Sequence, residues 1–258
     1  MISSVHNYDK DIEHAVKTFW AVRDGGKGVL AGKTLHAFLE IIKRVVKENG
    51  LPDAEVHTGK NTSQLPGFFR PHKSWDAVVI NNGELVAAIE FKSQVGSIGN
   101  NFNNRSEEVL GSAIDLKNAV EEDAFGDDAN IFAGYIIVVE KSALTAVTPK
   151  IQMKYFPVME GFLLDETQRE KEYKKGGKGV YPSLRGISYL HRYDVMCKRL
   201  MLKKLYTAAA LVAVPNQDHH LGAYEHVSAE TSIETFLAKL TAHCQVAAQI
   251  NELRKKDL

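Results

Sequence analysis

Apolar positions change period along the chain, and the changes mark out its elements. Leu35, Phe38, Leu39, Ile42, Val45 and Val46 repeat at helical spacing after Thr34, a suitable N-cap, and Gly50 ends that helix. EHAVKTFWAV (13–22) carries a helical pattern before it. Residues 57–74, HTGKNTSQLPGFFRPHKS, are turn-rich and basic with paired phenylalanines, and read as a long loop. Two strands are predicted next, WDAVVI (75–80) and LVAAIEFK (85–92), joined through Asn81-Asn82-Gly83-Glu84 in a strong hairpin signal. After a Gly/Asn-rich stretch at 95–104, a helix is expected from about Ser106, with Val109, Ala113, Leu116 and Val120 on one face. IFAGYIIVVE (131–140) reads as a buried strand, so strand, helix and strand make a right-handed crossover within a mixed sheet. Residues 165–186 form a lysine- and glycine-rich linker, 192–206 a basic amphipathic helix, 207–214 another buried strand and 229–255 a closing helix. No domain boundary is visible. The expectation is one α/β domain over 1–258, a central mixed β-sheet flanked by α-helices.

Composition changes this picture little. No apolar run reaches membrane-spanning length, and no leader-like apolar stretch opens the N-terminus. Cys197 and Cys244 are too few and too far apart for a disulfide framework, which fits a reducing cytoplasm. Net charge is zero but unevenly spread. Between Gln168 and Lys204 eleven Lys/Arg face three acidic residues, whereas from Glu84 to Ile131 ten Asp/Glu face three basic ones. Basic regions of this size track phosphate backbones and acidic ones hold cations, although solvated helix faces give the same pattern.

The chemistry concentrates in LVAAIEFKSQ (85–94). Glu90 and Lys92 interrupt an apolar strand, and burying either charge costs several kcal/mol unless it is paired or metal-bound. Two residues apart on a strand, they share one face; Phe91, Ile89, Ala87 and Leu85 take the other. Hairpin register decides whether Asp76 joins them. A two-residue Asn82-Gly83 loop would pair Asp76 with Ile89 and turn it away. A three-residue loop, Asn81-Asn82-Gly83, would pair it with Ala88 and set it diagonally beside Glu90, and this register is the one expected.

Two carboxylates and a lysine so placed suit Mg²⁺, which takes one or two carboxylates and completes its shell with water and phosphate oxygens. The lysine can orient an attacking water and offset charge on the phosphorus. Asp76, thirteen residues and then Glu90-Phe91-Lys92 is the pattern of the PD-(D/E)xK nucleases, with Trp75 where a proline usually stands. A solvated hairpin edge would also display a Glu and a Lys, but its remaining residues would be polar too.

The neighbouring blocks carry a more specific resemblance. GFFRPHKSWD (67–76), LVAAIEFKSQVG (85–96), GNNFNNRSEE (99–108) and RYDVMCKRLMLKKLYTAAAL (192–211) resemble, in order, the XhoI family of type II restriction endonucleases, over roughly residues 59–211. The resemblance implies a PD-(D/E)xK restriction-endonuclease-like core and a homodimer that cuts double-stranded DNA within CTCGAG, leaving 5′ overhangs. It further implies Mg²⁺ as cofactor, a cognate DNA methyltransferase as functional partner, and Asp76, Glu90 and Lys92 as catalytic positions. Asp76, Glu90 and the Phe91 carbonyl would hold the metal.

Asn100, Asn101, Asn103, Asn104 and Arg105 are then candidates to read bases, since Asn pairs with adenine and Arg with guanine in the major groove. An Asn-rich turn capping the next helix explains some of them equally well. Arg70, Lys60 and Arg185, with the other basic residues from 169, are phosphate-contact candidates. A structure-specific repair or junction nuclease and an inactive DNA-binding protein are the rival readings. RDGGKGVLAGKT (23–34) fails P-loop spacing, and Asp218-His219-His220 reads as a surface loop.

Overall fold

The computed structural model describes residues 8–24, 35–59, 61–127, 129–166 and 179–256. Lys60, the GGKG at 25–28 and the basic residues from Arg169 to Lys178 lie outside them.

In chain order, α1 (Asp9–Asp24) and α2 (His36–Glu48) precede β1 (Glu55–His57), β2 (Gln64–Pro66) and β3 (His72–Ser74). β4 (Ala77–Asn81) and β5 (Glu84–Gln94) follow, then α3 (Ile98–Glu121) and β6 (Phe132–Lys141). After a helical turn at Ala143–Ala146 come β7 (Lys150–Ile151), β8 (Leu184–Arg185), α4 (Tyr189–Leu202), β9 (Ala208–Pro215) and α5 (Ile233–Lys256). The main sheet runs β1-β4-β5-β6-β9; β1, β4 and β5 pair antiparallel, and β5, β6 and β9 pair parallel. The sheet is mixed and carries helices on both faces, a restriction-endonuclease-like α/β fold. Val79, Ala87, Ile89, Phe91 and Ile136 pack under α1, α2 and α5, while Val78, Ala88, Tyr135 and Ile137 pack under α3 and α4. The central strands read as continuous apolar runs because both their faces are covered.

Gly134 of β6 sets the fit of α5 on the sheet. A Cβ there would lie 2.8 Å from Phe236 and 3.0 Å from Ile89, so the missing side chain is the space Phe236 fills. Phe236 meets Phe132 edge-to-face at 5.4 Å.

Three expectations are corrected. Residues 57–74 are not one loop, because β2 and β3 form their own antiparallel pair, Gln64 opposite Ser74 and Leu65 opposite Lys73. The Ser63 hydroxyl donates to the Trp75 carbonyl at 2.6 Å and the Trp75 N–H to the Ser63 carbonyl at 2.9 Å, closing that unit onto the start of β4.

The helix expected from Ser106 begins at Ile98, so Asn100 to Arg105 occupy its first two turns and are not a loop. Asparagine is a poor helix former, but tertiary packing overrides propensity here. Ile98 is buried, Phe102 stacks edge-on against Tyr193 at 5.1 Å, and Val109 is buried two turns on.

The hairpin register matches neither alternative. The loop is the two-residue Asn82-Gly83, whose positive φ values (52° and 81°) make the turn that suits a twisted hairpin. Ile80 pairs with Leu85, but Val79 pairs with Ala87, so Val86 is a bulge. The extra residue reverses facing: Val86 joins Ala87 on the face under α1, α2 and α5, and Leu85 packs on the opposite one. Beyond the bulge Ala77 pairs with Ile89, and continuing by one residue sets Asp76 beside Glu90.

Candidate active site

Four elements converge on one open pocket, lined by Arg70, His72, Lys73, Ser74, Asp76, Glu90, Lys92, Glu108 and Ser112. The loop before β4 supplies Asp76, β5 supplies Glu90 and Lys92, the β2–β3 unit supplies Arg70 to Ser74, and α3 supplies Glu108 and Ser112.

Glu90 is 3% exposed. One of its oxygens lies 2.8 Å from Lys92 Nζ; the other lies 3.6 Å from Lys73 Nζ and accepts from the Tyr206 hydroxyl at 3.3 Å. Burial pushes the Glu90 carboxyl up, but Lys73 and Lys92 outweigh it and hold the group below the usual carboxylate range. Burial also acts on Lys92, lowering it, and the Glu90 charge more than reverses this, so Lys92 stays an ammonium. At Asp76 burial wins and raises the carboxyl, against the Phe91 N–H that donates to Asp76 Oδ2 at 2.7 Å.

The donors present fit a hard divalent cation. In an extended strand the N–H and C=O of one residue leave by the same edge, so the Phe91 carbonyl faces the edge where its N–H meets Asp76. Two carboxylates and a carbonyl, with room left for water and phosphate oxygens, are the kind of partial cage Mg²⁺ takes.

The pocket gathers Asp76, Glu90, Lys92 and Arg70 from the sequence candidates. Arg105 reaches it indirectly, donating to the pocket-lining Glu108 at 2.6 Å. Asn103 and Asn104 are exposed on α3 and Asn101 is half-buried; none of them lines the pocket, and neither does Arg185 on β8. His219, in the Asp218-His219-His220 stretch, contacts Asp24 at 3.1 Å and the Asn216 carbonyl at 2.6 Å.

The sequence motif singles out neither Lys73, which lines the pocket, nor Asp115, which supports it from behind Arg70. Lys73 sits in a strand too short to show a period, although Lys73 and Trp75, two apart on one face, were the available signal. Asp115, buried on α3, anchors the 67–70 turn: it accepts from the Phe69 N–H at 2.8 Å and from Arg70 Nε at 2.6 Å. Gly67 is required for this approach, since a Cβ there would lie 2.6 Å from Asp115 Oδ2.

Burial pushes the Asp115 carboxyl up, but Arg70 and the Phe69 and Phe68 N–H groups hold it below its ordinary value. A depressed pKa contributes stability that is complete above the unfolded value near ~3.9 and is lost as pH falls through the folded one. Asp115→Asn should therefore cost about 1–3 kcal/mol at pH 7, with the half-exposed Arg70 limiting the ionic share. The difference in thermal midpoint from wild type should shrink as pH drops below about 4. Midpoints measured by circular dichroism between pH 7 and pH 2 check both statements.

The restriction endonuclease XhoI family model matches residues 20–170 and 162–226. The type II restriction enzyme XhoI of Xanthomonas vasicola is 38% identical over 218 residues, covering 79% of each chain. BstVI of Geobacillus stearothermophilus, also a type II restriction enzyme, is 30% identical over 233 residues, covering 88% of this chain and 94% of its own. AbrI of Azospirillum brasilense, named likewise, is 39% identical over 155 residues, 54% of this chain and 70% of its own. No solved structure matches significantly. The buried Glu90 and half-buried Asp76 sharing one pocket with Lys92, on a mixed sheet in a chain aligned over most of its length with these enzymes, place the protein in the XhoI family of type II restriction endonucleases.

Proposed function

We propose that the chain hydrolyses phosphodiesters of double-stranded DNA at a CTCGAG-like palindrome in a Mg²⁺-dependent reaction that leaves 5′ overhangs. The carrying observation is that Asp76, Glu90 and Lys92, read as a motif across one hairpin, line one pocket beside the Phe91 backbone. Asp76, Glu90 and the Phe91 carbonyl hold the metal. A Mg²⁺ ion held there would supply polarisation of the phosphodiester and a more acidic attacking water. Lys92, fixed by its ion pair with Glu90, orients that water and offsets negative charge as it develops on the phosphate.

Arg70 stands at the pocket mouth as a phosphate contact, held in place by Asp115. Arg185 is a further phosphate contact, as is Lys60, which lies outside the described residues, and Asn101, Asn103, Asn104 and Arg105 offer their side chains from the first turns of α3 to bases. A two-fold palindrome is most simply cut on both strands by a homodimer, each copy one domain. Such an enzyme works in the cytoplasm beside a DNA methyltransferase that protects the host's sites. No helix among the described residues is long and apolar enough to cross a membrane.

A linear unmethylated duplex with one CTCGAG tests this reading. In Mg²⁺ it should give two fragments of defined length with 5′ overhangs. It should stay whole in EDTA or when the site is methylated. Uncut DNA in Mg²⁺ overturns the proposal.

A further inference from the structure

Lys73 is the pocket's second ammonium, and the motif does not account for it. It enters from β3, outside the β4–β5 hairpin, and its side chain is 12% exposed. Its Nζ stands 4.0 Å from the centroid of the Trp75 ring, 3.6 Å from Glu90 Oε2 and 3.3 Å from the Ser74 carbonyl. With Lys92 on the other oxygen, both oxygens of Glu90 face a lysine.

That arrangement balances two carboxylates with two ammonium groups, and a divalent cation between Asp76 and Glu90 upsets it. Two further positive charges then stand beside both lysines, and like charges at that range repel strongly in a partly dry site. Lys92 is bound to its oxygen at 2.8 Å on the same strand as Glu90. Lys73 is the more weakly held of the two, at 3.6 Å, on a flexible aliphatic stem whose rotatable head can turn. It opens onto the pocket beside Arg70 and His72, where a phosphodiester over the carboxylates brings oxygens within reach.

We propose that Lys73 is a catalytic residue with two positions, counter-ion to Glu90 in the metal-free protein and contact to the scissile phosphate once a divalent cation has taken that oxygen. The proposal rests on the nuclease reading above. Trp75 is a built-in reporter, because an ammonium leaving its ring changes the emission of the indole.

Three readouts on the wild type, Lys73→Met and Lys73→Arg test the idea: Mg²⁺ affinity by calorimetry without DNA, Trp75 emission during the same titration, and single-turnover cleavage of a CTCGAG duplex. Trp75→Phe supplies the Trp20 background. Lys73→Met removes the competitor for Glu90, so Mg²⁺ affinity should rise about tenfold while cleavage falls about a hundredfold. The metal-induced emission change should vanish in Lys73→Met, and Lys73→Arg should recover most of the cleavage. A lysine with only a structural role would lower affinity and cleavage together, and that result overturns the proposal. So does a Lys73→Met protein that cuts within twofold of wild type. If wild type binds Mg²⁺ no better than Glu90→Gln and leaves the duplex whole, the nuclease reading itself falls, and this inference with it.

Discussion

Glu90→Ala and Lys92→Ala are each expected to lower the single-turnover cleavage rate at least about a thousandfold, some 4 kcal/mol of transition-state stabilisation, while the protein stays folded. Glu90 is the side chain on which both lysines converge, and losing it removes a metal oxygen and the group that aims Lys92. Lys92→Ala leaves the carboxylates in place, so Mg²⁺ should still bind while the attacking water loses its partner. The fold survives because the freed groups line an open pocket and can hydrate, which holds the stability loss to about 1–3 kcal/mol. Cleavage of a single-site duplex, with thermal midpoints and DNA binding in Ca²⁺ alongside, separates lost chemistry from lost structure. Wild-type cleavage by either purified variant would remove Asp76, Glu90 and Lys92 from the mechanism.

Phe236→Ala should act on the opposite face of the sheet and through stability alone. Its ring is fully buried, fills the space above Gly134 and stacks on Phe132. Removing it leaves a cavity that the rigid β6 backbone cannot close, at a cost of about 3–5 kcal/mol. Denaturant unfolding should show that loss in the midpoint, while kcat below the unfolding transition stays within about twofold of wild type. A loss under 1 kcal/mol would mean that α5 does not seat on Gly134 as described.

What was legible in the sequence follows from how each segment is buried. β5, β6 and β9 stood out because strands covered on both faces must be apolar throughout. The same rule exposed Glu90 and Lys92, since charges in such a strand demand an explanation. Asp76 was placed beside them through an incorrect register. The Val86 bulge that does the placing lies in an unbroken apolar run, where no glycine or proline marks it. The start of α3 was hidden because Gly99 and four asparagines, poor helix formers, are held helical by Ile98 and Phe102, contacts that local sequence does not reveal. Lys73 was hidden for a related reason. β2 and β3 are each three residues long among turn formers, below the length at which alternation can be seen. The anchoring of Arg70 by Asp115 spans 45 positions, a separation that no motif records.

The central claim is sequence-specific, metal-dependent cutting, and sequencing the ends made from an unmethylated plasmid library tests it most directly. In Mg²⁺ the ends should map to one CTCGAG-like palindrome with 5′ overhangs, and an EDTA control should yield none. Ends scattered without a shared sequence, or the same ends in EDTA, would contradict the account.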